Sequence, residues 1–394
     1  MKKILFLFGL LSISLIIKSC IDPFEITNVS YEEILIVEGK LTNELKKHEI
    51  YLSKTIKIND VGVSPEKDAV VYITDNTNEI FNFSEIEIGR YQSINSFIPE
   101  NNKTYTLNIE TSNGKHYKSN PQQLTGLSDI GDINILIDEN NIGEEELNIN
   151  VNSITLNEDT KYYYYEYEEA FKIIAPYWNV NQFDMTNYPD IAFTTKPLPY
   201  KDICYKTQYS SGSRIQTETL SLSDNKVVNF SIRSIATDNY ILSYRYSILI
   251  KQFVQTQEAY SYHESLNSFA DYESVFSENQ VGFLNGNIFN TNDNNEKVIG
   301  FFEVNSVTSK RIFFNREDFF EDPITTYATA CNPFAPELLT DDSLEELLIL
   351  HRSGNYLYYS RNTSDENAPY NIVPKACGDC TEIGSINKPD FWID

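Results

Sequence analysis

From residue 34 onward the chain is built of short stretches in which apolar and polar residues alternate. Alternation with a period of two marks a β-strand with one buried face. Ile34 to Glu38 is an apolar run that stops at Gly39, and in His48 to Ile56 the residues Ile50, Leu52 and Lys54 share one face. Ala69, Val71 and Ile73 alternate with Val70, Tyr72 and Thr74, and Asp75 to Asn78 has the composition of a turn. Tyr105, Leu107 and Ile109 alternate with Thr104, Thr106, Asn108 and Glu110. Asn113-Gly114 predicts a tight hairpin, because both residues tolerate the positive φ that such turns need; His116 and Tyr117 open the return strand. Short strands at roughly 10–15-residue spacing predict a β-sandwich over residues 31–125, ending near Pro121 to Gly126.

The second part, residues 126–394, starts with strand patterns at Ile130 to Ile137 and Glu146 to Val151. The run Lys161-Tyr-Tyr-Tyr-Tyr-Glu-Tyr puts Tyr163, Tyr165 and Tyr167 on one strand face and Tyr162 and Tyr164 on the other. Residues 175–215, rich in Asn, Pro, Tyr and Ser, read as a long irregular insertion, and Val227 to Ile232 and Tyr240 to Lys251 return to strand pattern. Gln255 to about Tyr272 has no Pro or Gly. Ala259, Tyr262, Leu266 and Phe269 recur there at helical spacing, with Thr256 placed to cap and Glu258 in the first turn. Lys297 to Val304 and Lys310 to Asn315 read as strands joined by a turn. Ser343 with Glu346 reads as a capping box ahead of a short helix at Leu347 to Leu350. The prediction is a mostly β protein: a first sandwich, then a second β-sandwich-like domain with one inserted α-helix near 255–272.

The N-terminus changes where this protein is expected to sit. Lys2 and Lys3 precede an apolar run, Ile4 to Ile17, and then come Lys18, Ser19 and Cys20. The run is too short for a permanent membrane span and fits the core of a signal peptide. A small residue before a cysteine is where lipoprotein signal peptidase cuts, after diacylglycerol has been attached to the thiol. Residues 1–19 therefore read as a lipoprotein signal peptide, Cys20 as the lipidated residue and 20–30 as a tether. The alternative is an ordinary signal peptide with a chance cysteine. Two or three acyl chains, at about 0.8 kcal/mol per buried methylene, give stable anchoring, so the expected membrane contact is this lipid anchor.

Charge narrows the partners. The chain carries 57 acidic against 31 basic residues, a net −26; loss of Lys2, Lys3 and Lys18 on cleavage would make it −29. A chain this acidic, without a basic stripe, is repelled by phosphate backbones, which argues against nucleic acid as a partner. Four cysteines remain after Cys20: Cys204, Cys331, Cys377 and Cys380. An even number in an exported protein predicts two disulfides, with three possible connectivities. Cys377-Gly-Asp-Cys380 leaves a redox pair or half of a zinc site as alternatives.

The familiar catalytic motifs are missing: the sequence has no GxSxG, Walker loop, GxGxxG or HExxH. The histidines (His48, His116, His263 and His351) are scattered, and Asn292 to Glu296 lacks the ligand spacing of a calcium loop and reads as a polar hairpin tip. No catalytic residue, metal or cofactor is assigned. Tyr163, Tyr165, Tyr167 and Trp178 form the candidate aromatic surface for a glycan or peptide, with sheet packing as the alternative.

Several segments, in order, resemble a known family. They are Ile36-Val-Glu-Gly39, Leu41-Thr-Asn43 and Leu52-Ser-Lys-Thr55; the strand at Ala69 to Asp75; Gly89 to Ser93; Tyr105 to Ile109; and Gly114 to Ser119. Ile248 to Tyr262, Gly286-Asn287-Ile288, Val298 to Phe302, Lys310-Arg-Ile312, Cys377 to Cys380 and Lys388-Pro-Asp-Phe-Trp392 continue the series. Together they resemble the Bacteroidetes outer-membrane lipoprotein family called domain of unknown function 4249. The chain departs from that pattern at Lys46-Lys47, where the family tends to have a Gly-Pro turn. The resemblance implies an immunoglobulin- or prealbumin-like first domain, outer-membrane localisation and an association with TonB-dependent transporters. It carries over no catalytic residues. The expectation is a non-enzymatic accessory protein that binds such a transporter or its substrate. The alternatives are an envelope hydrolase acting on peptide or glycan, and a surface adhesin or structural protein.

Overall fold

The first strands follow the alternation closely. They are β1 (Leu35–Thr42), β2 (Glu49–Lys54), β3 (Ser64–Pro65), β4 (Val70–Asp75), β5 (Ile80–Glu87), β6 (Arg90–Ser93), β7 (Thr104–Glu110), β8 (His116–Ser119) and β9 (Gln122–Gln123). Next come β10 (Ser128–Glu139), β11 (Glu145–Thr155), β12 (Tyr162–Ile174), β13 (Asn181–Asp184), β14 (Ala192–Thr195), β15 (Ile203–Tyr209), β16 (Ile215–Glu218), β17 (Phe230–Ala236) and β18 (Arg245–Gln255). The chain continues through α1 (Gln257–Asp271), β19 (Ile288–Asn290), β20 (Val298–Asn305), β21 (Val307–Asn315), α2 (Asp341–Ser353), β22 (Tyr356–Arg361) and β23 (Tyr370–Pro374). This computed structural model describes residues 33–56, 62, 64–156, 160–196, 202–221, 226–271, 284–323 and 326–394. The expected signal peptide (1–19), Cys20 and the tether (20–30) lie outside the described residues.

The first domain is one 11-stranded sheet in the order β19-β8-β7-β4-β5-β6-β2-β1-β20, with β3 and β9 on its margins. Its core mixes aliphatic and aromatic side chains: Leu41, Ile50, Ile73, Leu107 and Phe302 are fully buried, with Leu52, Val37 and Tyr91 beside them. Each such side chain stabilises by roughly 1.5–3 kcal/mol on burial. Asp75 fixes the predicted turn by accepting from the Thr77 and Glu79 N–H groups at 2.8 and 2.9 Å. The Asn113-Gly114 hairpin forms between β7 and β8, with Gly114 at φ 79°.

Two sequence readings change here. The sheet is not completed by residues 31–125 alone: β19 and β20, from beyond residue 287, form its two ends. β20 runs parallel to β1 from Leu35↔Val298 to Thr42↔Asn305, and no local pattern reveals a parallel partner 263 residues away. β20 and β21 are also not a hairpin. They are nearly continuous, and at Ser306 the chain leaves the first sheet to pair with β18 in the second domain. Asn292 to Glu296 accordingly connects the two ends of the sheet instead of capping a hairpin.

In the second domain a three-stranded sheet (β10-β11-β17) faces a five-stranded sheet (β15-β12-β18-β21, with β16 also on β12). Leu147, Ile149 and Val151 meet Phe171, Tyr246, Ile248 and Ile250 between them. The protein is thus mostly β, with a nearly closed first sheet and a sandwich-like second domain, as the alternation predicts. The described part of residues 175–215 is more regular than its composition implies. It holds β13 to β16, whose residues are mostly half-buried or exposed and so carry no period-two signal. α2 starts earlier than predicted: Thr340 and Ser343 form the capping box, and the helix ends at Gly354 with φ 68°. A small satellite core of Phe183, Met185, Leu347, Leu348 and Ile372 joins this helix to the hairpins β13–β14 and β22–β23.

Candidate functional site

The most concentrated polar chemistry lies in the seam between the two domains. It follows from strand parity. β20 turns Phe302 and Val304 into the first core, so Phe301, Glu303 and Asn305 point outward. β12 turns Tyr163 and Tyr165 into the second core, so Tyr164 points outward too. These outward faces meet. Glu303 Oε1 accepts from Arg214 Nη2 at 2.8 Å and from His263 Nε2 at 2.9 Å, and Oε2 accepts from Asn305 Nδ2 at 2.9 Å. Arg214 also donates to Gln255 Oε1 at 3.1 Å and lies 3.8 Å over the Tyr164 ring. Tyr164 stacks on Phe253 at 4.4 Å, and Lys40 Nζ sits 4.4 Å from the Phe253 centroid while pairing with Glu166 at 2.5 Å.

Burial would raise the Glu303 pKa, but Arg214 and the hydrogen bond from His263 outweigh it and hold the carboxyl well below its usual range. Burial lowers the His263 pKa, and the Glu303 contact offsets this only in part, so the ring is neutral at pH 7. Since the ionised carboxylate can only accept, His263 Nε2 carries the proton. Glu303 therefore has both oxygens occupied and its charge fixed. Its three hydrogen bonds hold the domains in register.

α1 explains how this seam adjoins open space. Thr256 caps it as predicted, accepting from Ala259 N–H at 3.2 Å. Ala259 and Tyr262 pack on Phe301, while His263 and Asn267 face the second domain, where Asn267 exchanges hydrogen bonds with Arg214 backbone atoms. Of the predicted apolar stripe, Ala259 and Tyr262 are buried and Leu266 is 41% exposed, while the Phe269 side chain lies outside the described residues. A third helix face, bearing Glu258, Ser261 and Ser265, borders a cavity of about 420 Å³ against Asn120 and residues 284–287. The opposite wall is rigid. The Asn287 side chain bonds both the N–H and the C=O of Phe302 (2.8 and 2.9 Å), and Asn120 N–H donates to Asn287 O at 2.8 Å. A Cβ on Gly286 would lie 1.6 Å from Gly300 O, so only glycine lets this wall lie flush on β20.

Residues 21–311 match the family described as Domain of unknown function (DUF4249). The chain belongs to that family. No curated protein matches it in sequence. Among solved structures, a DUF4785 family protein from Legionella pneumophila is similar over 55% of this chain and 51% of its own length, with 8% identity and a TM-score of 0.17. The chain thus spans about half the length of that protein, and a likeness this slight carries no argument.

In this DUF4249 chain the predicted site residues separate. Tyr163 and Tyr165 are buried in the second core, their hydroxyls donating to Thr160 O and Gln252 Oε1 at 3.1 Å each, and Tyr167 and Trp178 lean partly buried on the same core. Tyr163 and Tyr165 therefore present no ring face to a ligand, which corrects the aromatic-surface reading for those two. Cys204 bonds Cys380 and Cys331 bonds Cys377, with Cα atoms 5.7 Å apart in each pair. The two cysteines of Cys377-Gly-Asp-Cys380 thus bind separate partners, not each other. His48, His116, His263 and His351 remain apart: His48 contacts Phe97, His116 lies 3.9 Å from Glu110, and His351 faces Phe183. No cluster of three or more His, Cys, Asp or Glu suited to a metal ion occurs among the described residues. Sequence reading missed Arg214, Glu303 and the Asn120–Glu258 cavity, since they come from segments that nothing in the linear pattern brings together.

Proposed function

We propose that this chain is a lipoprotein of the Bacteroidetes cell envelope, anchored in the outer membrane through Cys20. In this reading it serves as a non-enzymatic binding partner of a TonB-dependent transporter or of the transporter's substrate. One observation carries the proposal. Cys204, Cys331, Cys377 and Cys380 pair off completely in two disulfides, which leaves Cys20 as the odd cysteine, placed where the apolar run Ile4 to Ile17 ends. Disulfides persist in oxidising compartments outside the cytoplasm, and a lone cysteine after such a run is what lipidation requires. No helix among the described residues is long and apolar enough to cross a membrane. The transporter comes from the family resemblance alone.

The test is a pull-down with tagged full-length protein from gently solubilised outer membranes of the native host. Recovery of a TonB-dependent transporter, lost on Cys20→Ala together with lipid labelling, is the expected result. A Cys20→Ala protein that stays membrane-bound at high salt, or no transporter recovered from the wild type, contradicts the proposal.

A further inference from the structure

The cavity beside α1 carries hydrogen-bonding groups that no other described side chain engages. Glu258 and Ser261 on the helix, and Asn120 and Asn285 on the facing wall, are exposed at its rim. Among the described residues no hydrogen bond or ion pair is made by the side chains of Asn120, Asn285 or Glu258, or by the Ser261 hydroxyl. At the base lie Phe301 and Tyr262, nearly buried, with ring centroids 5.5 Å apart; the Tyr262 hydroxyl is occupied by the Gly300 backbone. The volume falls within the range of small-ligand sites, roughly 300–1,000 Å³.

The lining selects a ligand class. Among the described residues the cavity is bordered by one carboxylate and by no Lys or Arg, so an anionic ligand would bring like charge to Glu258 with no described cation to offset it. The rim is too polar for a lipid chain, whose burial would leave amides and hydroxyls unpaired. Amides and a hydroxyl both donate and accept, a carboxylate accepts from two neighbouring hydroxyls, and an aromatic base suits a patch of C–H groups. We infer that this cavity binds a neutral saccharide unit, with Glu258, Ser261, Asn120 and Asn285 meeting its hydroxyls and the Phe301–Tyr262 base meeting its apolar face. This rests on the reading of the chain as a binding protein and names the chemistry of what it would hold.

The test is saturation-transfer-difference NMR on the full chain in detergent. The neutral probes are methyl β-D-glucopyranoside and maltotriose; glucuronate and tetraglycine serve as comparison ligands. At least one neutral sugar should receive saturation at its ring protons. Glu258→Ala combined with Asn120→Ala should weaken it at least about tenfold, the effect of one lost charge-assisted hydrogen bond. Ser261→Trp, an exposed position whose new side chain fills the cavity, should abolish it while circular dichroism stays unchanged. The inference is overturned if neither neutral sugar receives saturation, if glucuronate or tetraglycine receives as much, or if Ser261→Trp leaves the signal intact. Loss of sugar binding with transporter recovery preserved would remove this site alone, whereas loss of both would also remove the binding-protein reading.

Discussion

The core of the first domain and the seam beside it are separated by one residue step along β20, yet they are built on opposite principles. Phe302 and Val304 enter an apolar core, while Glu303 and Asn305 enter a polar junction with Arg214, His263 and Tyr164. The core gains from area removed from water and accepts many packings of similar volume. The seam gains little net energy from its charges, because their desolvation nearly offsets their attraction, but it accepts very few geometries. The core thus makes the domain stable, and the seam fixes how the second domain sits on it.

The sharpest way to break this contrast is to remove one seam partner. Glu303→Ala leaves Arg214 buried without its carboxylate and should cost about 3–5 kcal/mol in urea unfolding. Leu107→Ala in the core should cost a comparable 2–5 kcal/mol. The two differ in repair: replacing Arg214 and Glu303 together by apolar residues should restore much of the loss, whereas no second substitution near Leu107 refills its cavity as simply. Acid should separate them too. The Glu303 pKa is held below its ordinary value of 4.5, so its contribution is present at neutral pH and lost as pH falls below about 4.5.

Next in size are the disulfides, which the contrast predicts act at the far end of the second domain and leave the seam alone. Cys204→Ser with Cys380→Ser opens a connection of 176 residues and should cost about 2–5 kcal/mol in thermal or urea unfolding. Amide exchange at α1 should stay unchanged.

A smaller effect tests the first domain. Burial pushes the His48 pKa down to about 4, and the hydrogen bond with Phe97 O offsets this only in part. The folded state keeps the ring neutral while the unfolded chain takes up a proton near 6.5. Stability should therefore be full above pH 6.5 and decline toward pH 4, by on the order of 2–3 kcal/mol from this group. His48→Asn should flatten that window when unfolding is followed against pH. The smallest effect belongs to the rim of the seam. Lys40 and Glu166 are 31% and 44% exposed in their side chains, so Glu166→Gln should shift stability by about 0–1 kcal/mol in the same urea assay.

What could be read from the sequence follows the same division. The faces of β1, β2, β4 and β7 were legible because each buries one side on a local, alternating pattern. α1 was legible through its spacing and its Thr256 cap. The closing strands β19 and β20 were not, since their neighbours β8 and β1 lie far away in the chain. β13 to β16 were hidden because half-exposed strands do not alternate. The tyrosine run was legible as a strand, but its alternation alone leaves open which face a second sheet covers; the β10-β11-β17 sheet covers Tyr163 and Tyr165. Arg214, Glu303 and His263 each look like an ordinary surface residue until the two domains are brought together.

Arg214, Glu303 and His263 hold the two domains together. A double-mutant cycle on Arg214→Met and Glu303→Leu, measured by urea unfolding, tests it most directly. The account predicts that each single substitution costs about 3–5 kcal/mol, that the pair costs far less than their sum, and that the coupling exceeds about 1.5 kcal/mol. Single substitutions that cost under about 0.5 kcal/mol and simply add would contradict it.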